Sequence, residues 1–314
     1  MLMGFEERVV ACFQGLATGD AVGKQTETLS RANVLKWYPG GIAGFHGRPG
    51  DTIPRYAGTR YEWRIGETTD DTEQTLAVAR ALLARGDADH EAIGAELLQC
   101  RKSAHPGVSL WSFLQAGDAA RIASGGDGCG AAMRSAPIGV MYSSSRFDDL
   151  MRGAYECAIP THGGEPAISA AAAVAGAVSA ALDGRSRDDV LAVAIQAASA
   201  RDSTIARSLE AIYSDLSGRK HLGIDEVAQR YFPDRPETIV PLAISLALIT
   251  ESAKETALFA ANIGGDSDSV ASIGGAIAGA LRPESVDVRW FEVVGAINDD
   301  DIIGTAMSLA RMRR

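Results

Sequence analysis

Apolar residues recur at three- and four-residue spacing through much of this chain, beginning with Phe5, Val9, Cys12, Phe13 and Leu16, one face of a helix expected to end near Gly19. The pattern then breaks. Gly40-Gly41, Gly44, Gly47, Pro49-Gly50, Pro54, Gly58 and Gly66 punctuate an irregular stretch that runs to Thr69, long enough to serve a site and a candidate lid. Periodicity resumes with Thr75, Leu76, Ala79, Leu82 and Leu83, and further helices are predicted near residues 90–102 and 109–116. Beyond the glycine-rich segment 124–130, helices are predicted over about 167–183, 187–200, 204–217, 238–261, 268–281 and 288–311. Alternation of period two is sustained nowhere, and Ala-rich segments favour helix over strand. The pattern therefore predicts an all-α fold, a helical bundle with functional loops. No linker-like composition divides residues 1–314 and no fixed-period repeat appears, so a single domain is expected.

Composition changes this picture in three ways. The 34 glycines and many alanines among 314 residues permit close helix contacts and close approach of backbone to a ligand. The net charge is -10, and only Arg311-Met312-Arg313-Arg314 concentrates basic residues, which excludes a general attraction to nucleic-acid phosphates. Cys12, Cys100, Cys129 and Cys157 are widely spaced, which argues against a zinc site and a disulfide framework and for a reducing, cytoplasmic setting. Glu6, Glu7 and Arg8 interrupt the first apolar stretch, unlike a secretory signal. Residues 167–182 form the longest uncharged apolar run, which is Ala/Gly-rich, short for a membrane span, and reads as a buried helix.

Two acidic motifs, far apart in the chain, each stand at the entrance to a helix: Thr69-Asp70-Asp71-Thr72, and Asp266-Ser267-Asp268-Ser269 behind Gly264-Gly265. Carboxylates and hydroxyls are hard oxygen ligands suited to Mg²⁺ or Mn²⁺. Asp70, Asp71, Asp266 and Asp268 would repel one another if clustered, whereas two divalent ions would neutralise them. The competing reading is helix capping, with Asp71-x-x-Gln74 as a capping box and acids favoured by the helix dipole. An EF-hand is excluded because Ala271 and Ile277 stand where its glycine and terminal Glu belong. The Asp-x-Asp-x-Val pattern of haloacid-dehalogenase phosphatases also matches, but there it follows an N-terminal strand and here a helical segment.

Five ordered blocks then carry a likeness: Gly15-Leu-Ala-Thr-Gly-Asp20-Ala-Val-Gly23 with Glu27, the 69–72 motif, Gly130-Ala-Ala-Met133-Arg134-Ser-Ala-Pro137, Thr161-His162, and Gly264–Ser269. Together they resemble the ADP-ribosylglycohydrolase family. The resemblance implies a compact, orthogonal multi-helix bundle and hydrolysis of an ADP-ribose glycosidic bond to a protein side chain such as arginine or serine, or to a small molecule. It implies Thr69, Asp70, Asp71, Asp266, Asp268 and Ser269 as ligands of two Mg²⁺ or Mn²⁺ ions at the ribose, which lower the pKa of a water. Cleavage at the anomeric carbon develops oxocarbenium character that nearby carboxylates suit. Asp70, Asp71 and Glu27 are all candidate bases; Glu27 is otherwise a solvated surface acid. Asp20 either orders the metal motif from behind or ends the first helix.

The loop Gly125–Gly130, including Gly128, Cys129 and Gly130, leads to Met133 and can bring backbone N–H groups to a diphosphate. Cys129 stands where the family more often has Asn, so an amide's donor and acceptor are lost; no feature marks the thiol as a nucleophile. Arg134 pairs with phosphate or with an internal acid. His162 is a candidate hydrogen-bond partner of phosphate or ribose, while His46, His90, His105 and His221 are assigned no role. Trp37, Trp63, Trp111, Trp290, Tyr56 and Phe45 read as core or loop anchors, with one aromatic of the irregular loop available to stack on adenine. Two other functions fit the same residues: a non-catalytic ADP-ribose-binding protein, and a hydrolase of another nucleotide or nucleoside. The oligomeric state is left open.

Overall fold

Small residues decide how the central helices meet. Gly15, Gly19 and Gly23, one turn apart on helix α1 (Phe5–Gly23), face α15 (Ser267–Leu281), whose Gly275 and Gly279 face back. A Cβ at any of these positions would overlap a backbone carbonyl of the partner helix, so the two backbones touch with almost nothing between them. α1 therefore runs through Gly19 to Gly23 rather than ending there, and a 3₁₀ turn, Lys24–Thr26, continues it. In this computed structural model the described residues are 4–53, 62–103, 106–219 and 221–314; Pro54, Tyr56, Gly58 and His105 lie outside them.

Seventeen α-helices and one two-stranded sheet make up the described residues, the all-α architecture the pattern predicts. The irregular stretch contains a short helix, α2 (Arg31–Trp37), capped by Ser30, and the antiparallel pair β1 (Thr52–Ile53) and β2 (Trp63–Arg64), with Ile53 opposite Trp63. Two buried asparagines tie this stretch down by imitating backbone. Asn262 receives the Ile42 N–H at 2.8 Å and donates to its carbonyl at 2.8 Å; Asn298 receives the Thr68 N–H at 3.1 Å and donates to Gly66 O at 2.9 Å.

α3 (Asp70–Arg85), α4 (His90–Leu97) and α5 (Val108–Ala116) follow. After the glycine loop come α6 (Gly130–Met133), α7 (Ala136–Met141) and α8 (Phe147–Ala158), none of them anticipated as helices. α9 (Glu165–Leu182) is long and apolar enough to cross a membrane, but its residues from Ala167 to Leu182 are all buried in protein, as the composition predicts for a core helix. α10 (Arg187–Ser199) and α11 (Ser203–Ser217) pack against it, and α12 (Ile224–Arg230), also unanticipated, follows in the chain.

The single helix expected over 238–261 is two, α13 (Pro236–Ile249) and α14 (Ala253–Ile263), because Ser252 caps a new start by accepting from Glu255 N at 3.0 Å. The one expected over 288–311 likewise splits into α16 (Val288–Ile297) and α17 (Ile302–Ala310), where Asp301 accepts from Gly304 N at 2.8 Å. The basic C-terminal run is structural at its end: Arg313 bonds Asp183 at 2.5 Å, and the Arg314 backbone bonds Met141 O at 2.7 Å.

Candidate active site

The α1–α15 contact sets the first piece of the site. Asp20, fully buried near the C-terminal end of α1, reaches the N-terminus of α3 and accepts from Thr69 N at 2.9 Å, Thr72 N at 3.1 Å and Thr72 Oγ1 at 2.5 Å. It thus holds the acidic motif from behind and does not terminate its own helix. Burial raises its pKa, opposed by those donors. Thr69 is the true N-cap of α3, accepting from Asp71 N at 3.1 Å, so the Asp71–Gln74 capping box does not form. Gln74 instead donates to Asp70 Oδ2 at 3.1 Å, and Ser103 donates to the same oxygen at 2.7 Å.

The second motif enters through a turn that only glycine accommodates well. Gly264 and Gly265 have φ of 86° and 71°, and their loop is pinned by Gly265 N to Leu29 O and Asp266 N to Pro233 O, both 2.8 Å. Asp266 stands at the cap position of α15 but its side chain caps nothing; it accepts from the Cys129 thiol at 3.0 Å. Asp268 Oδ2 lies 3.7 Å from Lys24 Nζ, which also bonds Glu27 and sits 4.6 Å above the Trp63 ring. The two motifs meet where Ser269 Oγ approaches Asp71 Oδ2 at 3.4 Å. Immediately after Glu27, Thr28 carries a φ of 67°, a conformation that costs a non-glycine residue about 1 kcal/mol or more and is held by Thr28 N bonding Gly265 O at 2.8 Å.

These acids are crowded in a buried place. Asp71 is pushed well above the usual carboxylate range by burial and then by Asp20, Asp70 and Asp266; Asp268 is pushed well above it by burial and then by Glu27. Asp70 is pushed up to about 6, chiefly by burial. The Cys129 thiol is raised by burial and the facing Asp266, so it is a neutral donor and not a thiolate nucleophile.

A cavity of about 720 Å³ opens above the motifs, a size suited to a nucleotide-sized ligand. Glu27, Asp70, Asp71, Asp266, Asp268 and Ser269 line it together with Gly128, Cys129, Gly130, Met133 and His162. Of the predicted site residues only Thr69 is not in the lining; it is fully buried beneath Asp71. His162 is buried, with its ring edge against the glycine loop: a Cβ on Gly128 would meet Nε2 at 3.0 Å. Burial, then the Arg134 charge, lowers its pKa to about 3, so the ring is neutral.

Sequence reasoning missed Lys24, Gln74, Val108 and Phe232. Phe232 offers the cavity an aromatic face next to the Pro233-Asp234 turn, the one signal that could have drawn attention to it. Trp63 is buried and Trp290 packs with Phe45, ring centres 5.9 Å apart, as anchors do. Trp37 and Trp111 are instead exposed, because each sits on the outer face of a short helix.

The donor set suits small divalent cations. Among the described residues no three His, Cys, Asp or Glu side chains are gathered as a metal cage, since Cys129, Lys24 and Gln74 each engage a different carboxylate. Yet among the described residues Asp71 Oδ1 is buried with no hydrogen-bond partner to offset its desolvation, beside a hydroxyl and among further carboxylates. A hard cation satisfies such an oxygen.

The family model described as ADP-ribosylglycohydrolase matches residues 1–314. The chain belongs to the ADP-ribosylglycohydrolase family. Its relatives include an uncharacterized protein of Archaeoglobus fulgidus, 31% identical over 295 residues that cover 91% of each chain. The ADP-ribosyl-(dinitrogen reductase) glycohydrolase of Rhodospirillum rubrum is 31% identical over 138 residues, 42% of this chain and 43% of that one. The ADP-ribosylarginine hydrolase Tri1 of Pseudomonas putida is 24% identical over 92% of this chain and 74% of its own. A solved structure titled ADP-ribosylglycohydrolase-related protein complex superposes with a TM-score of 0.72 at 25% identity over the whole of both chains. Membership in this family supports a glycohydrolase that acts on ADP-ribose conjugates.

Proposed function

We propose that this ADP-ribosylglycohydrolase uses two Mg²⁺ or Mn²⁺ ions to cleave the bond between the anomeric carbon of ADP-ribose and its acceptor, an ADP-ribosylated protein side chain or a small-molecule conjugate. One observation carries the reading: two acidic helix starts converge on a buried carboxylate oxygen without a partner among the described residues, in a cavity that a glycine loop also lines. Asp70, Asp71, Asp266, Asp268 and Ser269, with Thr69 beneath, would hold the ions. When bound, the ions supply positive charge toward the ribose hydroxyls and acidify water.

The protein's own groups do the rest. The loop at 126–130 and His162 receive the diphosphate or ribose, and Phe232 offers a face for a flat ring. Of the candidate bases, Glu27 is engaged by Lys24, and Asp71 lies between Thr69 and Ser269. Asp70 has one oxygen anchored by Gln74 and Ser103 while the residue lines the cavity, so we assign it the proton that water gives up as it attacks the anomeric carbon. The acceptor leaves with the electrons of the broken bond and takes up the proton that Asp70 received, which restores the carboxylate.

The test is release of ADP-ribose from arginine- and serine-linked peptides and from small conjugates by the full-length protein, with and without EDTA. Turnover is expected to need Mg²⁺ or Mn²⁺ and to fall roughly 100-fold or more in Asp268→Ala with its circular dichroism unchanged. Activity indifferent to chelation removes the metal centre. ADP-ribose binding without turnover of any conjugate shows a non-catalytic binder instead.

A further inference from the structure

Arg134 is the largest fully buried side chain, and among the described residues no ion pair joins it. A guanidinium taken out of water without a carboxylate is costly; among the described residues the Arg134 Nε has no hydrogen-bond partner, and the two Nη atoms make the contacts that offset the cost. Its Nη1 donates to Gln74 Oε1 at 2.9 Å; its Nη2 donates to Cys157 O at 2.9 Å and to Thr161 Oγ1 at 2.6 Å. Arginine can only donate, and that imposes directions on its partners.

Gln74 has its carbonyl committed to Arg134, so its amide nitrogen is the end that faces Asp70 Oδ2, at 3.1 Å. Thr161 has a lone pair committed to Arg134, and its own proton has one partner within reach, His162 Nδ1 at 2.6 Å. Were Nδ1 protonated, two donors would converge on one buried hydroxyl beside a cation and the hydroxyl proton would have no acceptor. Nδ1 therefore accepts, and a neutral ring carries its proton on Nε2. Nε2 is the atom that meets the glycine loop, within 3.0 Å of where a Gly128 Cβ would stand, and His162 lines the same cavity as Asp70.

We propose that Arg134 is a positioning residue that sets hydrogen-bond direction at two places in the cavity lining: through Thr161 it fixes His162 as an Nε2–H donor toward an anionic oxygen of the ligand, and through Gln74 it anchors Asp70. The choice of a phosphate or ribose oxygen as that ligand group rests on the proposed function; the tautomer does not. Arg134 supplies no group to the substrate itself.

The experiment is ¹⁵N–¹H NMR of the full-length protein with labelled histidine, His162 being assigned from His162→Gln. In the wild type a pyrrole-type Nε2 and a pyridine-type Nδ1 are expected for His162. Thr161→Ser keeps the hydroxyl and is expected to keep that pattern; Thr161→Val and Arg134→Lys lose it to a mixture of tautomers. ADP-ribose affinity is expected to fall about tenfold in Thr161→Val and to be restored in Thr161→Ser. A wild-type ring protonated on Nδ1 overturns the proposal even if no variant folds, and so does a Thr161→Val spectrum identical to wild type. If the wild type shows the Nε2–H tautomer but binds no ADP-ribose, the network is upheld and the hydrolase reading falls.

Discussion

His162 illustrates how a single buried side chain couples the site to stability. An unfolded histidine titrates near 6.5, whereas burial and Arg134 lower this one to about 3. The folded state therefore binds fewer protons than the unfolded state between those values. The contribution is fully present above pH 6.5 and is lost as pH falls toward 3, at up to roughly 1.4 kcal/mol per pH unit. Urea unfolding at several pH values should show His162→Gln losing stability less steeply than wild type between pH 6.5 and 4. Equal slopes would mean the ring is accessible or already charged. Cys129 was legible as a departure from the family's usual Asn, but its role was not: the thiol still donates, to Asp266 at 3.0 Å, so the donor half of the amide's work is retained. Arg134 was legible only as a choice between phosphate and an internal acid, and the structure shows neutral partners, Gln74 and Thr161. Such partnerships between distant residues leave no local pattern.

At the level of elements, the site depends on how closely α1 approaches α15. A Cβ on Gly19 would overlap the Ala271 carbonyl, backbone that has no rotamer to move, so the helices would have to separate. Gly19→Ala is expected to destabilise by about 1–3 kcal/mol and to weaken Mn²⁺ binding, because Asp20 and Lys24 would shift relative to Asp268. Gly295, exposed on α16 with open space around it, is the control: Gly295→Ala should stabilise by about 0.5–1 kcal/mol through helix propensity. Thermal melts and Mn²⁺ titrations of both variants check this, and a Gly19→Ala protein as stable as wild type would show the contact to be yielding. The helices themselves were mostly legible because burying one face imposes a period near 3.6. The break at Ser252 was missed because Ile249, Ala253 and Ala257 keep helical spacing across the cap, whereas the polar run Asn298–Asp301 before α17 was a legible stop. α8 has Leu150, Ala154 and Cys157 buried at helical spacing and could have been found.

Across the whole molecule, α3 and α15 bring crowded carboxylates to one point, so cations that bind only the folded state must stabilise it. At a hundredfold excess over Kd the gain is about 2.7 kcal/mol per site, several degrees in Tm. Mn²⁺ should raise the Tm of the wild type and EDTA should abolish the rise, whereas Asp71→Asn, which replaces the unpartnered oxygen, should respond to neither. A wild-type Tm indifferent to Mn²⁺ would remove the metal centre without touching ADP-ribose binding. Hydrophobic period, small-residue content and the spacing of acids at helix starts are local properties of a polypeptide, and from them the sequence alone determined an all-α protein with two acidic helix entrances, a glycine loop and a histidine after Thr161. Tertiary structure alone decided that Ser269 meets Asp71, that Asp20 holds the N-terminus of α3, that Lys24 reaches Asp268, and that Gln74, Phe232 and Arg134 join the cavity. The physical reason is that convergence is set by the angles and distances at which helices pack. Those depend on side-chain volumes on facing surfaces, above all the glycines between α1 and α15, whose partners lie hundreds of residues away and are paired only when the chain folds.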